Sequence, residues 1–151
     1  MPPKSTNWKK GRGKLGPLQP LIGSWTAEAD SPMGKIKCTR IFKPVLGDKY
    51  IELTATWGFG KGNYVEHAIY GMKDDQLSFW SFTSDGKRSE GYLSDGTDVH
   101  PEAICFEAQM PAGLARMIYW PGEEDGFHWA VESKTKKGWN RFTEHHYKRT
   151  D

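Results

Sequence analysis

The chain has 151 residues and a net charge of +2, with 36% hydrophobic, 13% aromatic and 26% charged side chains. That is the size of one domain, and seven Trp, seven Phe and six Tyr exclude a disordered chain. The longest mostly apolar run, residues 114–120, is short and contains Arg116, which excludes a membrane-spanning helix.

Residues 1–16 carry Lys4, Lys9, Lys10, Arg12 and Lys14 with no acidic residue, and Pro2, Pro3, Gly11, Gly13 and Gly16 discourage regular structure there. This segment reads as a basic flexible tail ahead of a folded body over 17–151, and the body by itself is mildly acidic. Attraction to phosphate is confined to the tail, so no nucleic-acid partner is expected beyond it. A solvated leader, partly a solubility device, is the favoured reading of the tail. Trp8 is its one residue equipped to dock.

From Gly23 onward the chain shows no sustained helical period. Residues 23–29 alternate, with Trp25, Ala27 and Ala29 on one face. Residues 35–42 put Ile36, Cys38 and Phe42 together, and residues 49–57 put Ile51, Leu53, Ala55 and Trp57 together. Further strands are predicted over 64–72, 76–83, 87–93, 103–110, 114–120, 127–132 and 139–148. Asp85-Gly86, Pro111-Ala112-Gly113 and similar turn sequences separate them. Only residues 17–22 suit a short helical turn. About ten strands with short connectors make an antiparallel meander, and closing it removes two exposed edges. The predicted fold is therefore all-β, a single up-and-down barrel.

Several strands mix polar and aromatic groups on one face. Strict alternation in the last strand places Arg141, Thr143, His145 and Tyr147 together. A solid core would bury such groups at high cost, whereas a hollow interior or a bound polar molecule satisfies them.

The opening Leu21-Ile22-Gly23-Ser24-Trp25, with Gly-x-Trp at the start of the first strand, and the closing Tyr147-Lys148-Arg149 resemble the calycin superfamily. These are the lipocalin and fatty-acid-binding-protein-like barrels, and the chain is most similar to uncharacterised bacterial calycin-like families and the nitrobindin type. The resemblance covers residues 20–150. It implies that Trp25 and Arg149 meet as the structural pair at the closed end of the barrel. Fatty-acid-binding proteins often use Arg-x-Tyr in the last strand, and here those positions read His145-His146-Tyr147. The nitrobindin likeness implies haem held by a C-terminal His, with His145 or His146 as the ligand.

The leading functional expectation is a cytoplasmic barrel, monomeric or homodimeric, that binds a small, mainly apolar and in some cases anionic molecule. The expected ligand-binding residues are His67, Trp80, Arg116, Trp129, His145 and Tyr147. Arg40 and Arg116 each share a face with apolar residues, and inward arginines would hold a carboxylate, a phosphate or an internal Glu, for which Glu52 is the candidate. A haem-binding barrel and a small barrel enzyme using His67 or His145 as general base are the alternatives. No cofactor is required by the sequence, and no metal site is expected, because the His spacing suits none. Without an apolar leader near Met1, Cys38 and Cys105 are expected to be free thiols in a reducing compartment. The Gly58-Phe59-Gly60-Lys61-Gly62 run lacks the spacing of a phosphate-binding loop and reads as a hairpin loop.

Overall fold

The computed structural model describes residues 8–31, 34–59 and 62–150. Lys4 and the first seven residues, and the centres of the loops at 32–33 and 60–61, lie outside the described residues. A short 3₁₀ helix, Gly16–Leu21, precedes ten strands: β1 (Gly23–Ser31), β2 (Gly34–Val45), β3 (Tyr50–Phe59), β4 (Gly62–Lys73), β5 (Gln76–Thr83), β6 (Arg88–Ser94), β7 (Ile104–Met110), β8 (Gly113–Pro121), β9 (Phe127–Thr135) and β10 (Gly138–Arg149). Each strand pairs antiparallel with its sequence neighbour, and β1 pairs with β10, so the sheet closes into one up-and-down barrel.

The alternation that predicted the strands also builds the interior. Register places Cys38, Arg40 and Phe42 of β2 beside Trp57, Ala55 and Leu53 of β3. Ala55, Leu53 and Ile51 in turn oppose Glu66, Ala68 and Tyr70 of β4. On the far wall Ile104, Phe106 and Ala108 of β7 oppose Tyr119, Met117 and Ala115 of β8. The buried aromatics fill the lower half of the barrel, where Phe42 meets Tyr119 edge-on at 5.9 Å and Tyr70 meets Phe106 at 5.1 Å.

The lower end is sealed. Trp25 donates its indole N–H to the Leu21 carbonyl at 2.9 Å, and its ring packs against Phe127 at 4.6 Å. The Arg149 guanidinium lies 4.2 Å from the Trp25 ring centre. It also bonds Asp125 at 2.8 Å and the Ile22 carbonyl at 3.2 Å. Trp8, from the basic segment, is buried beneath this layer and donates to the Glu102 carbonyl at 2.9 Å. The chain before β1 thus packs across the closed end from Trp8 onward.

The seam between the first and last strands is short. β1 and β2 share nine paired positions, but β1 and β10 share two, Trp25 with Arg149 and Thr26 with Lys148. Above Thr26 the two strands part. On β10 the register slips between Arg141 and Thr143, a bulge that leaves Phe142 opposite no partner and 60% exposed.

The closing contacts are short-range and partly shielded from water, so Arg149→Ala should destabilise the fold by about 1–2 kcal/mol. Urea unfolding should show a lower midpoint with an unchanged slope. An unchanged midpoint would show that the Trp25–Arg149 layer is not what secures the seam.

Candidate functional site

At mid-height the barrel holds a charge. Arg40 on β2 is 1% exposed, and among the described residues no carboxylate touches it. Nη2 donates to the Tyr119 hydroxyl at 2.6 Å. The guanidinium carbon lies 4.8 Å from the Trp129 ring centre, 5.5 Å from Tyr119 and 6.0 Å from Tyr147. Burial disfavours this cation, while Tyr119, Tyr147 and the carboxylate of Glu66 favour it, and the guanidinium keeps its proton.

Around it stand buried polar atoms: Arg40 Nε, Trp129 Nε1 and His145 Nδ1 have no hydrogen-bond partner, while the Tyr70 hydroxyl faces Tyr119 and the Tyr147 hydroxyl faces the Arg40 guanidinium. They form one cluster. Trp129 lies 5.0 Å from His145 and 6.3 Å from Tyr147, and His145 lies 6.0 Å from Tyr147. Burial pushes the Tyr70, Tyr119 and Tyr147 phenols above their ordinary range, so all three keep their protons. Burial, then the nearby Arg40 charge, holds His145 below its ordinary value of 6.5, so the ring is neutral at neutral pH.

Two hollows flank this cluster. One is a cavity of about 220 Å³ in the upper half, walled by Phe79, Phe106, Met110, Met117 and Val131, with Glu66 at its polar edge. Gly91 lets β6 approach this wall closely, because a Cβ there would lie 2.6 Å from the Phe79 ring and 2.1 Å from the Glu107 carbonyl. The other is a groove of about 530 Å³ where β1 and β10 part, lined by Glu28, Asp30, Trp57, Glu144 and His145. Phe142, released by the bulge, borders both.

Of the sequence-predicted site residues, Trp129, His145 and Tyr147 face the interior. His67, Trp80 and Arg116 face outward. The outward face of β4 carries Val65, His67 and Ile69 because Glu66, Ala68 and Tyr70 are the residues in register with the inner face of β3, and His67 is exposed. Trp80 opposes Ile69 and Glu90 on the outer surface. Arg116 is buried, but on the outside of the barrel, where it bonds Asp98 at 2.7 Å and Glu132 at 2.9 Å and stacks on Trp139 at 4.3 Å. The loop over residues 95–103 covers this face, with a Cβ at Gly96 falling 2.9 Å from Cys105 and 3.5 Å from Ile118. An apolar face under a loop has the same sequence signature as an apolar face inside the barrel. The bulge likewise moves Arg141 outward to Glu132 and Glu144. Glu52, the expected internal carboxylate, faces out to Lys43; the inner carboxylate is Glu66. Arg40 was legible as an inward arginine, whereas Tyr70, Tyr119 and Glu66 carried no distinguishing signal.

The remaining chemistry is sparse. Cys38 and Cys105 are free and buried, and burial raises both thiols, Cys105 to about 12, so neither is a nucleophile at neutral pH. Among the described residues no three His, Cys, Asp or Glu side chains gather as a metal site. His146 faces outward and contacts His128 ring to ring. Haem does not fit these residues. The inner cavity exceeds a benzene-sized void only modestly, and the groove beside His145 is rimmed by Glu28, Asp30 and Glu144, which repel propionates. No helix is long and apolar enough to cross a membrane. No known family model and no curated protein matches the chain.

His145 is neutral when folded and takes a proton when unfolded below its ordinary value. The folded state is therefore penalised as the pH falls, and stability rises with pH up to about 6.5 and then levels. His145→Gln should flatten the stability profile between ~pH 7 and ~pH 5 relative to wild type. A profile of unchanged slope would show that His145 does not carry this dependence.

Proposed function

We propose that the barrel binds a small, mainly apolar molecule whose head group is a carboxylate or a similar acceptor-rich group, with Arg40 as its anchor. One observation carries this reading: the buried atoms around Arg40 that lack partners are predominantly donors. Arg40 Nε and Trp129 Nε1 can only donate, and the Tyr147 hydroxyl, beside a guanidinium that cannot accept, has a proton to give. A buried donor without an acceptor costs about 1–3 kcal/mol, and a buried cation without a counter-charge costs more. An acceptor-rich head group removes these costs together, with His145 and Tyr119 completing its surroundings. The apolar body then occupies the 220 Å³ cavity against Phe79 and Phe106, a volume suited to a single ring or a short chain.

The up-and-down meander and the Trp25–Arg149 closure support a calycin-type barrel, in which a cavity of this kind is the usual place for a ligand. On this reading Trp129, His145 and Tyr147 are ligand contacts. His67, Trp80 and Arg116 are not, since they lie outside.

Replacing a buried ion by an apolar side chain of similar length is commonly neutral or stabilising. Arg40→Met should therefore fold with a stability equal to wild type or about 1–3 kcal/mol greater, while losing its ligand. Native mass spectrometry of freshly purified protein should show a small acidic molecule on wild type and none on Arg40→Met. Equal occupancy of both proteins would remove Arg40 from the site. A strongly destabilised Arg40→Met would show that the guanidinium serves the fold.

A further inference from the structure

Glu66 lines the apolar cavity and lies two strands from Arg40 in the same register row. In register Arg40, Ala55 and Glu66 form one row across β2, β3 and β4. Adjacent strands are about 5 Å apart, so the two charged residues start about 10 Å apart, with only the methyl group of Ala55 between them. Glu66 lines the 220 Å³ cavity and accepts a hydrogen bond at Oε2 from the Ser81 hydroxyl on β5. It is also the carboxylate that couples to Arg40, Tyr70 and Tyr119. The interior thus already holds one positive and one negative group that do not touch. A head group seated between them meets donors on one side and a carboxylate on the other.

We infer that the site selects a head group with both an acceptor and a donor, namely a carboxylic acid that brings or captures one proton, or a primary amide, and rejects permanent anions such as sulfonates. This rests on Arg40 being the anchor and adds what Glu66 does beside it. The head-group oxygen accepts from Arg40 and Tyr119. The opposite side of the head group donates to the Glu66 carboxylate. An amide supplies that donor from its NH₂. A carboxylate supplies it by taking one proton from solvent, which is then held between the ligand and Glu66. Two carboxylates in direct contact do not both stay ionised. A sulfonate remains ionised at any accessible pH, carries no donor and faces Glu66 as a like charge.

The other groups facing Glu66 do not relieve this repulsion. Arg40 from β2 is the cation the head group itself uses. Tyr70, on the same strand, and Tyr119 from β8 stay protonated and neutral. Ser81 from β5 is already bonded to Glu66, and Ser89 from β6 lines the cavity as a neutral hydroxyl. From β10, His145 is neutral. Arg116 of β8 borders the cavity, but its guanidinium is held outside by Asp98 and Glu132.

The test uses three single-ring probes of one size, benzoate, benzamide and benzenesulfonate, titrated calorimetrically into the full chain. Benzoate should be measured at near-neutral pH in two buffers of different ionisation enthalpy. The expected result is binding of benzoate and benzamide, with benzenesulfonate about tenfold weaker or worse. Benzoate binding should take up about one proton, and benzamide binding none. In Glu66→Gln the proton uptake should vanish and the sulfonate should gain affinity. Because proton uptake is read on wild type, the test does not depend on the variant folding. Benzenesulfonate binding as tightly as benzoate, with no proton uptake, would overturn the role of Glu66 and leave the Arg40 anchor standing. Failure of all three probes to bind would overturn the anchor itself, and this inference with it.

Discussion

A guanidinium that cannot lose its proton is held at the centre of an aromatic barrel, and the design of the interior follows from accommodating it. Arg40 touches π faces and the phenols of Tyr119 and Tyr147, and among the described residues it forms no ion pair with a carboxylate. Cation–π contacts with Trp129, Tyr119 and Tyr147 offset part of the several kcal/mol that removing a charged group from water costs. The tyrosines, the indole N–H of Trp129 and His145 are arranged as if around a further polar group. A barrel suits this arrangement because every strand contributes one inward position at the same height, so residues distant in sequence converge without a dedicated loop.

The closed and open ends divide the labour. At the bottom, Trp25, Phe127, Leu21 and Trp8 are packed, and Arg149 secures the layer through Asp125 and the Trp25 face. Rigidity there holds the two terminal strands together through few backbone pairs. The upper seam is free to part, and the bulge at Arg141–Thr143 turns Phe142 toward the opening. A barrel sealed by side chains at one end can leave its other end unzipped at little cost, and the groove beside His145 is the result.

Much of the fold was legible in the sequence, because hairpin turns and period-two alternation are local signals. Each of the ten strands lies where the alternation put it, and observed and expected ends differ by no more than a few residues. Which residues face inward was legible in part. Trp129, His145 and Tyr147 point into the barrel because the last two strands alternate aromatic and polar groups around Trp129 and Tyr147. Arg116 and His67 misled for one physical reason: local pattern tells which residues share a face, not which face is inside. The more apolar face of β8 is buried beneath the 95–103 loop, and the inner face of β4 carries Glu66 and Tyr70. Arg141 moved outward because a bulge inserts one residue, which single-strand alternation does not reveal. Glu66 and Arg40 become neighbours only once β2, β3 and β4 are in register, a long-range fact.

The most direct test of the central claim is the Arg40 side-chain Nε–H signal in a nitrogen–proton NMR spectrum, followed during titration with benzoate. The account predicts that this signal moves progressively and saturates at one equivalent as the missing acceptor arrives. A signal that stays in place while resonances elsewhere in the barrel shift would contradict it, since the molecule would then be binding where Arg40 is not.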